Sequence, residues 1–490
     1  MRKYFKYILI LGWAMLFFSC KKEFLNPIPK TSITDATAFD TPDRILNQVR
    51  SIYSALKNGN FYGGRYLAYG EIRGENFVNE TSNLVTGFDV WNLNPAGTSQ
   101  NSVKNLWSTA YLTINLCNVF LEGMETNGKG VAVVGQALTD NYNAEARFVR
   151  ALCYYSLLQY YARPYADGNG SKPGLPLRLT AIKGSGLSDL ARSTVAEVYA
   201  QVISDLDFAE SKLPSSYPTT SPNILNVTRA HVNSAIALKT RVYLTMQKYT
   251  DVIAQANKIV SAASPFAAAS GVSFALQSNI ANVFASPYNT TESVLSMPMT
   301  TTAGDNPGIQ NQLGFYFYNN GSVGSSEYSL NPAGIIANTN WTATDARRTA
   351  LIFINASGKK FVAKYKTGSP YTDYAPVMRY SEVMLNLAEA LARTNSGVDA
   401  RALALVNAVR KRSDPAITIT ATTQTELINA ILLERNIEFL GEGLRNNDLM
   451  RLLQTIPAKG SAPNKTPGEQ GYIWPISSDE LSLNKLMTDN

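Results

Sequence analysis

Residues 229 to 262 read RAHVNSAIALKTRVYLTMQKYTDVIAQANKIVSA, and this stretch decides the predicted fold. Its apolar residues recur at the spacing of one helical face on each side of a short joint at Tyr249. They are Ala235, Leu238, Val242 and Met246 before the joint, and Val252, Ala256 and Ile259 after it. Two helices in about 34 residues match the length of a tetratricopeptide repeat. Such pairs stack, so that each buries the apolar face of the next.

Similar apolar periods lie on both sides of this pair. They predict helices at Asp43–Lys57, Ser102–Met124, Asp140–Tyr161, Ser193–Leu213, Arg229–Met246, Tyr249–Ala262, Pro376–Arg393, Val398–Arg412, Thr425–Leu440, Gly443–Gln454 and Asp479–Leu483. The predicted fold class is therefore mainly α with minor β structure. A tetratricopeptide-like helical-repeat scaffold would cover about 43–58, 102–262 and 376–456.

Two long segments rich in Gly, Asn and Thr interrupt the helical pattern at about 59–100 and 265–345. Irregular segments of this length inside a compact body are usually functional. We therefore expect the helices to form the scaffold and these two inserts to bind the ligand. Short strands are predicted after the second insert, at Leu351–Phe353 and Phe361–Lys366.

Flat rings and side-chain amides in the two inserts suggest a ligand site. A ring face covers the apolar C–H surface of a sugar, and amides form hydrogen bonds to its hydroxyl groups. The alternative is that the rings plug the base of the loops. The candidates are Trp91, Asn92, Asn94, Tyr288, Tyr316, Tyr318 and Trp341.

The first 19 residues have the parts of a secretory signal peptide. Arg2, Lys3 and Lys6 are followed by an almost wholly apolar run over 7–18, which is too short to span a bilayer. Cys20 directly after Ser19 suggests attachment of a lipid, and several acyl chains would form an effectively permanent anchor. The alternative is an ordinary signal peptide with Cys20 incidental.

Composition excludes several classes of protein. The formal charge is +7, and removing the three basic residues of the leader leaves 41 basic against 37 acidic residues, too mild a balance for nucleic-acid binding. A single histidine, His231, rules out a multi-histidine metal site, and we expect it at a surface or helix-capping position. Cys117 and Cys153 lie in apolar helical stretches and are expected to be buried free thiols. We find no motif for a cofactor and expect none.

The densest charged cluster lies near the C-terminus. A carboxylate on an apolar helical face must find a partner, because its burial alone costs several kcal/mol. One interpretation is a pair of catalytic carboxylates. The other is a structural network, favoured because an arginine close in sequence would lower the pKa of each acid. Its members are Glu434, Arg435, Glu438, Arg445, Asp448 and Arg451.

Several motifs, in order along the chain, resemble the SusD/RagB family of outer-membrane nutrient-uptake lipoproteins from Bacteroidetes. They are Cys20–Leu25 with Pro27 and Pro29, Ala144–Ala151, Asp345–Arg347, Val362–Tyr365, Met378–Ala390, Glu434–Phe439 through Glu442–Arg445 to Arg451, and Trp474–Ile476. One such motif would be weak, whereas this many in the right order are highly specific.

The resemblance implies a single domain over 20–490 after a signal peptide at 1–19. It implies that Cys20 is acylated and that the protein is anchored in the outer membrane by lipid alone. It also implies a non-catalytic role as the lid of a SusC-like TonB-dependent transporter, to which glycan, or sometimes peptide, is delivered. The ligand residues of this family share no motif, so the ring and amide candidates rest on composition alone.

Two rival functions stay open at this point. A surface glycosidase would need paired carboxylates in an open cleft, one of them with a raised pKa. A tetratricopeptide adaptor would bind only protein, and would show no heat change on titration with any glycan.

Overall fold

The computed structural model describes residues 37–184, 186, 188–218, 224–322 and 324–490. The predicted signal peptide and Cys20 lie outside the described residues. The α-helices are α1 (Pro42–Leu56), α2 (Arg65–Ile72), α3 (Phe88–Trp91), α4 (Asn105–Glu125), α5 (Lys129–Tyr161), α6 (Val195–Lys212), α7 (Leu225–Thr228), α8 (Val232–Thr245), α9 (Tyr249–Ala256), α10 (Leu313–Phe317), α11 (Ala346–Leu351), α12 (Tyr380–Thr394), α13 (Ala400–Ser413), α14 (Gln424–Glu438), α15 (Arg445–Arg451) and α16 (Ser478–Leu483).

The long helices stack in an order that follows the chain. Helix α1 packs on α4, α4 on α5, α5 on α6, α6 on α8, α8 on α9, α9 on α12, and α12 on both α13 and α14. This is the arrangement that repeated helical pairs produce when each covers the apolar face of the next. The predicted fold class, a mainly α scaffold of helical pairs, is confirmed.

The strands are short and form three antiparallel pairs within the described residues. They are β1 (Phe77–Asn79), β2 (Ser293–Met297), β3 (Tyr328–Leu330), β4 (Ile352–Ile354), β5 (Lys360–Val362) and β6 (Ala375–Arg379). Strand β1 pairs with β3, β2 with β6, and β4 with β5. The β4–β5 pair confirms the strands predicted there. The other two pairs join segments that lie far apart in the sequence.

One buried aromatic cluster fixes the C-terminal tail to the helices. The ring of Trp474 is fully buried and lies 4.5 Å from Tyr160, 5.5 Å from Tyr161 and 5.8 Å from Tyr69, measured between centroids. Its backbone N–H donates to the carbonyl of Tyr160 at 2.7 Å. The tail is therefore part of the main core and holds α2 against α5.

Capping residues define where several helices begin. Thr194, not the predicted Ser193, caps α6, because its hydroxyl accepts from the backbone N–H of Glu197 and the Glu197 carboxylate bonds back to Thr194. His231 caps α8 by accepting from the backbone N–H of Ser234. The predicted capping role of His231 is confirmed, but a surface position is wrong, since the residue is fully buried.

Two predictions of local structure were wrong. Helix α2 lies inside the first insert, where no helix was expected; it is buried on every side, so it lacks the one-sided apolar period that marks a helix in sequence. The segment predicted as the start of a helix at Pro376 is the buried strand β6, and the helix begins at Tyr380. Both Cys117 and Cys153 are buried free thiols, as predicted, and burial raises the pKa of each.

Candidate ligand-binding surface

The two predicted inserts contact each other through a pair of short strands. Strand β1 of the first insert pairs with β3 of the second, with Phe77 opposite Leu330 and Asn79 opposite Tyr328. Beyond the strands, the backbone N–H of Glu80 donates to the carbonyl of Glu327 at 2.9 Å. The loop that follows β1 is thereby held against the loop that precedes β3.

The buried carboxylate of Glu327 extends this contact into the loop of the first insert. It accepts hydrogen bonds from the hydroxyl groups of Thr81 and Thr86, at 2.7 and 2.5 Å. The Tyr328 hydroxyl donates to the carbonyl of Thr86 at 2.9 Å. Leu84 lies at the tip of this loop, and its apolar side chain is 62% exposed to solvent.

A second contact joins the start of the first insert to the loop before α10. The Lys57 ammonium donates to the carbonyl of Pro298 at 3.1 Å and also pairs with Asp305. A Cβ on Gly59 would lie 2.0 Å from the carbonyl oxygen of Pro307, so this close approach requires glycine. Ile309, on the same loop, is 86% exposed.

Four of the predicted ligand residues are buried. Trp91 donates its ring N–H to the carbonyl of Phe77 at 2.8 Å, and Tyr316 is stacked on Tyr328 with centroids 6.0 Å apart. Tyr318 packs edge-on against Phe353. Trp341 is 2% exposed and lies under the guanidinium of Arg348. The burial of these four rings supports the alternative interpretation, in which they pack at the base of the loops instead of contacting a ligand.

The other three predicted residues reach solvent at two separate places. Asn92 is partly exposed and Asn94 exposed, in the turn after α3. Tyr288 is partly exposed in the second insert, with its ring stacked on Tyr374 at a centroid distance of 4.5 Å and an angle of 17°. The ligand-contact hypothesis is therefore retained for Tyr288, Asn92 and Asn94.

The four-ring surface, defined as Tyr288, Phe315, Tyr371 and Tyr374, is the group of partly exposed aromatic side chains around Tyr288. Phe315 meets Tyr371 edge to face with centroids 6.2 Å apart. The two ring pairs are joined through the short segment 371–374. The hydroxyl groups of Tyr371 and Tyr374 form no hydrogen bond with any described residue, so they can bond a solute.

Asp373 fixes the geometry of this surface. Its carboxylate accepts from the Tyr288 hydroxyl at 3.1 Å and from the backbone N–H and hydroxyl of Thr367 at 2.9 and 2.8 Å. Burial raises the pKa of Asp373. Burial, followed by the neighbouring Asp373, raises the pKa of Tyr288 to about 12, so its hydroxyl keeps its proton at neutral pH and donates.

Sequence reasoning missed Tyr371 and Tyr374, because they lie beyond the boundary set for the second insert. A tripeptide that occurs twice in the sequence could have pointed to Tyr371. Ser286-Pro287-Tyr288 and Ser369-Pro370-Tyr371 have the same sequence, and both tyrosines have a φ of 62°. A tyrosine in this left-handed region is uncommon, and such residues concentrate at functional sites.

All six residues of the predicted charged cluster form ion pairs; Asp448 pairs with the expected Arg435 and Arg451, whereas the partners of Glu434 and Glu438 differ from those expected. Glu434 pairs with Arg347 and Arg410, which come from elsewhere in the chain and not from the arginines near it in sequence. The remaining pairs are Glu438 with Arg347, Arg379 and Arg412, Arg435 with Asp448, Arg445 with Glu75, and Arg451 with Glu389 and Asp448.

The two carboxylates best placed for acid–base chemistry are closed off from solvent. Glu434 and Glu438 are 0% and 1% exposed. Burial alone would raise the pKa of Glu438, but Arg412, Arg379 and Arg347 hold it well below the usual range. Neither carboxylate has access to a substrate, and Glu438 is held ionised by its arginines, so this cluster has the properties of a network that joins α14 to its neighbours.

Neither a metal cluster nor a membrane-spanning helix occurs in the part of the chain that the structure describes. No group of three or more His, Cys, Asp or Glu side chains there could hold a metal ion. No described helix is both long and apolar enough to cross a bilayer.

The stacked helical pairs and their long inserts are typical of a binding scaffold. Comparison with known proteins identifies the family. Residues 240–490 match the model of the SusD family, and the chain belongs to that family. Residues 23–244 match a family model described as starch-binding associating with outer membrane.

Individual relatives agree with this assignment. A SusD superfamily protein from Bacteroides fragilis is 31% identical and covers 92% of this chain and 100% of its own, with a TM-score of 0.80. A laminarin-binding SusD-like protein is 21% identical over 92% of this chain and 99% of its own, with a TM-score of 0.70, which shows a shared fold. SusD-like protein P25 from Formosa agariphila is 29% identical over 217 residues, and the match spans only 38% of that relative.

Proposed function

We propose that this protein is a cell-surface lipoprotein that binds an oligosaccharide and delivers it to a partner TonB-dependent outer-membrane transporter of the SusC type. The four-ring surface is the observation that carries the proposal. Two partly exposed ring pairs are joined through the segment 371–374, the hydroxyl groups of Tyr371 and Tyr374 form no hydrogen bond with any described residue, and Asp373 holds the Tyr288 ring. Such rings cover the apolar face of a sugar, while polar tips bond its hydroxyl groups.

Similarity to known proteins supports a glycan as the ligand. One matching family model is described as starch-binding, and one structural relative is named for binding laminarin. The proposed role is capture without catalysis, which agrees with the burial of the paired carboxylates Glu434 and Glu438. Anchoring through lipid on Cys20 would place the four-ring surface at the cell exterior, beside the transporter.

Affinity electrophoresis in gels containing soluble starch, laminarin, xylan, galactan or pectin tests the proposal. We expect at least one polysaccharide to retard the wild-type protein. Tyr288→Ala and Tyr374→Ala should each raise the apparent Kd for that polysaccharide by about fivefold, because each removes one stacked ring worth roughly 1 kcal/mol.

Tyr243→Ala is the matched control, since Tyr243 is a partly exposed tyrosine of α8 that lies outside the four-ring surface. It should bind as the wild type does. Retardation that is equal in all four proteins would remove the four-ring surface from the proposal. If no polysaccharide retards the wild type and a peptide pool binds instead, the ligand is a peptide.

A further inference from the structure

We infer that the protein has a second saccharide site, in a cleft between the second insert and the C-terminal helices. The cleft, called the α14 cleft, has a volume of about 500 Å³, within the usual range for small-ligand sites. The residues that matter for recognition are Ala337, Asn338, Leu433, Asn436, Arg445 and Gln454. None of them belongs to the four-ring surface.

Three side-chain amides line the cleft, and their NH2 groups are not used in hydrogen bonds with described residues. Asn436 accepts from the Asn76 amide at 2.7 Å, and Asn338 accepts from the backbone N–H of Asn340 at 2.9 Å, so in both cases the oxygen is used. Neither of their NH2 groups, nor the side chain of exposed Gln454, forms a hydrogen bond with a described residue. The free donors can bond the hydroxyl oxygens of a sugar.

The charge in the cleft is already neutralised. The Arg445 guanidinium makes a bidentate pair with Glu75, with Nε–Oε2 at 3.0 Å and Nη2–Oε1 at 2.5 Å. An anionic ligand would have to compete with Glu75 for this guanidinium. The cleft therefore favours a neutral ligand over an acidic one.

Apolar side chains complete the site. Leu432, Leu433 and Leu452 line the cleft and are each partly exposed. Amide donors beside an uncharged apolar wall match the two faces of a neutral sugar, its hydroxyl groups and its C–H surface. The choice of saccharide as the ligand class rests on the proposed function, and a second site would raise avidity for a long glycan.

Filling the cleft tests the inference. Ala337 is exposed and lines the cleft, so Ala337→Trp adds bulk without removing a contact; Ala262→Trp, at an exposed alanine outside it, is the control. The probes are glucose, galactose, mannose, xylose and their common disaccharides, with glucuronic acid for comparison, observed by saturation-transfer NMR. We expect at least one neutral probe to bind the wild type and Ala262→Trp, with binding lost in Ala337→Trp.

Gln454→Ala serves as a second variant, since the side chain is exposed and its loss should not affect folding. It should weaken binding of the same probe severalfold. The inference is overturned if no neutral probe binds, if binding survives Ala337→Trp and Gln454→Ala, or if glucuronic acid binds more tightly. The double variant Tyr288→Ala/Tyr374→Ala should keep this signal, so a failure of the four-ring surface would be distinguishable from a failure of the α14 cleft.

Discussion

At the scale of single residues, Glu71 has an unusual environment. It is 1% exposed, and one carboxylate oxygen accepts from the backbone N–H groups of Gly443 and Leu444 at 2.8 and 3.1 Å. The other oxygen is buried without a partner among the described residues. Burial raises the pKa of Glu71 to about 7, although these backbone donors oppose the shift.

This raised pKa predicts that the free energy of unfolding depends on pH. Between the unfolded pKa near 4.5 and the folded pKa of about 7, the folded state binds the extra proton, so Glu71 lowers stability as pH rises through that window. Glu71→Gln keeps an acceptor for Gly443 and removes the titration. It should therefore gain stability relative to the wild type as pH rises, by about 3 kcal/mol at most.

Urea unfolding of both proteins at pH 5 and pH 8 measures this difference. We expect the gain from Glu71→Gln to be small at pH 5 and large at pH 8. An equal difference at the two pH values would show that Glu71 does not titrate in this range.

At the scale of elements, buried ions hold α14 in place. Glu438 accepts from Arg379 at 2.8 Å, from Arg412 at 2.5 Å and from Arg347 at 2.9 Å, and so joins α14 to β6, α13 and α11. Because its pKa is depressed, its contribution is present above the unfolded pKa near 4.5 and is lost as pH falls toward the folded pKa.

Glu438→Gln should destabilise the protein by about 3–5 kcal/mol at neutral pH, because it leaves buried guanidinium charge uncompensated. The measurement is the midpoint of urea unfolding. Glu426→Gln, at the exposed start of the same helix, should change stability by less than about 0.5 kcal/mol, since Gln can also complete a capping box. Equal effects of the two variants would contradict a structural role for Glu438.

The contact between the inserts leads to a separate prediction. Glu327→Ala removes the acceptor of Thr81 and Thr86, and so frees the loop of the first insert from the second. Backbone amides of 80–87 should then exchange with deuterium at least tenfold faster, while exchange in α14 stays unchanged as an internal reference. If exchange in 80–87 is unaffected, Glu327 does not hold the loop.

The elements that sequence predicted well were those with one apolar face. Helices α1, α6 and α13 repeat apolar residues at helical spacing because one side faces the core and the other faces solvent. Helix α2 and strand β6 are buried all round, which removes the alternation that would identify them. For the proposed binding surface, sequence singled out Tyr288 as a candidate. It could not place Tyr374 beside it, because Tyr374 lies beyond the second insert and meets Tyr288 only in the folded chain.

At the scale of the whole molecule, the helical pairs form the frame, and the two inserts contact each other through the β1–β3 pair. The proposed lipid anchor at Cys20 predicts where the protein resides. In a Bacteroidetes host, the wild type should fractionate with outer membranes, whereas Cys20→Ala should be released into soluble fractions, since a single acylation site carries the anchor.

Cys117→Ala is the matched control, because that thiol is buried and free. It should stay with the membrane. Metabolic labelling with a clickable fatty acid should mark the wild type and Cys117→Ala, but not Cys20→Ala. A membrane-bound Cys20→Ala protein would contradict anchoring through this residue.

The pairing of β1 with β3 also bears on how loops can be exchanged within this family. The two strands come from segments about 250 residues apart, yet Phe77 and Leu330 lie opposite each other. A chimaera that transplants only one of these segments onto a relative would leave a mismatched strand edge. Exchange of either segment between relatives should therefore require both to be grafted together.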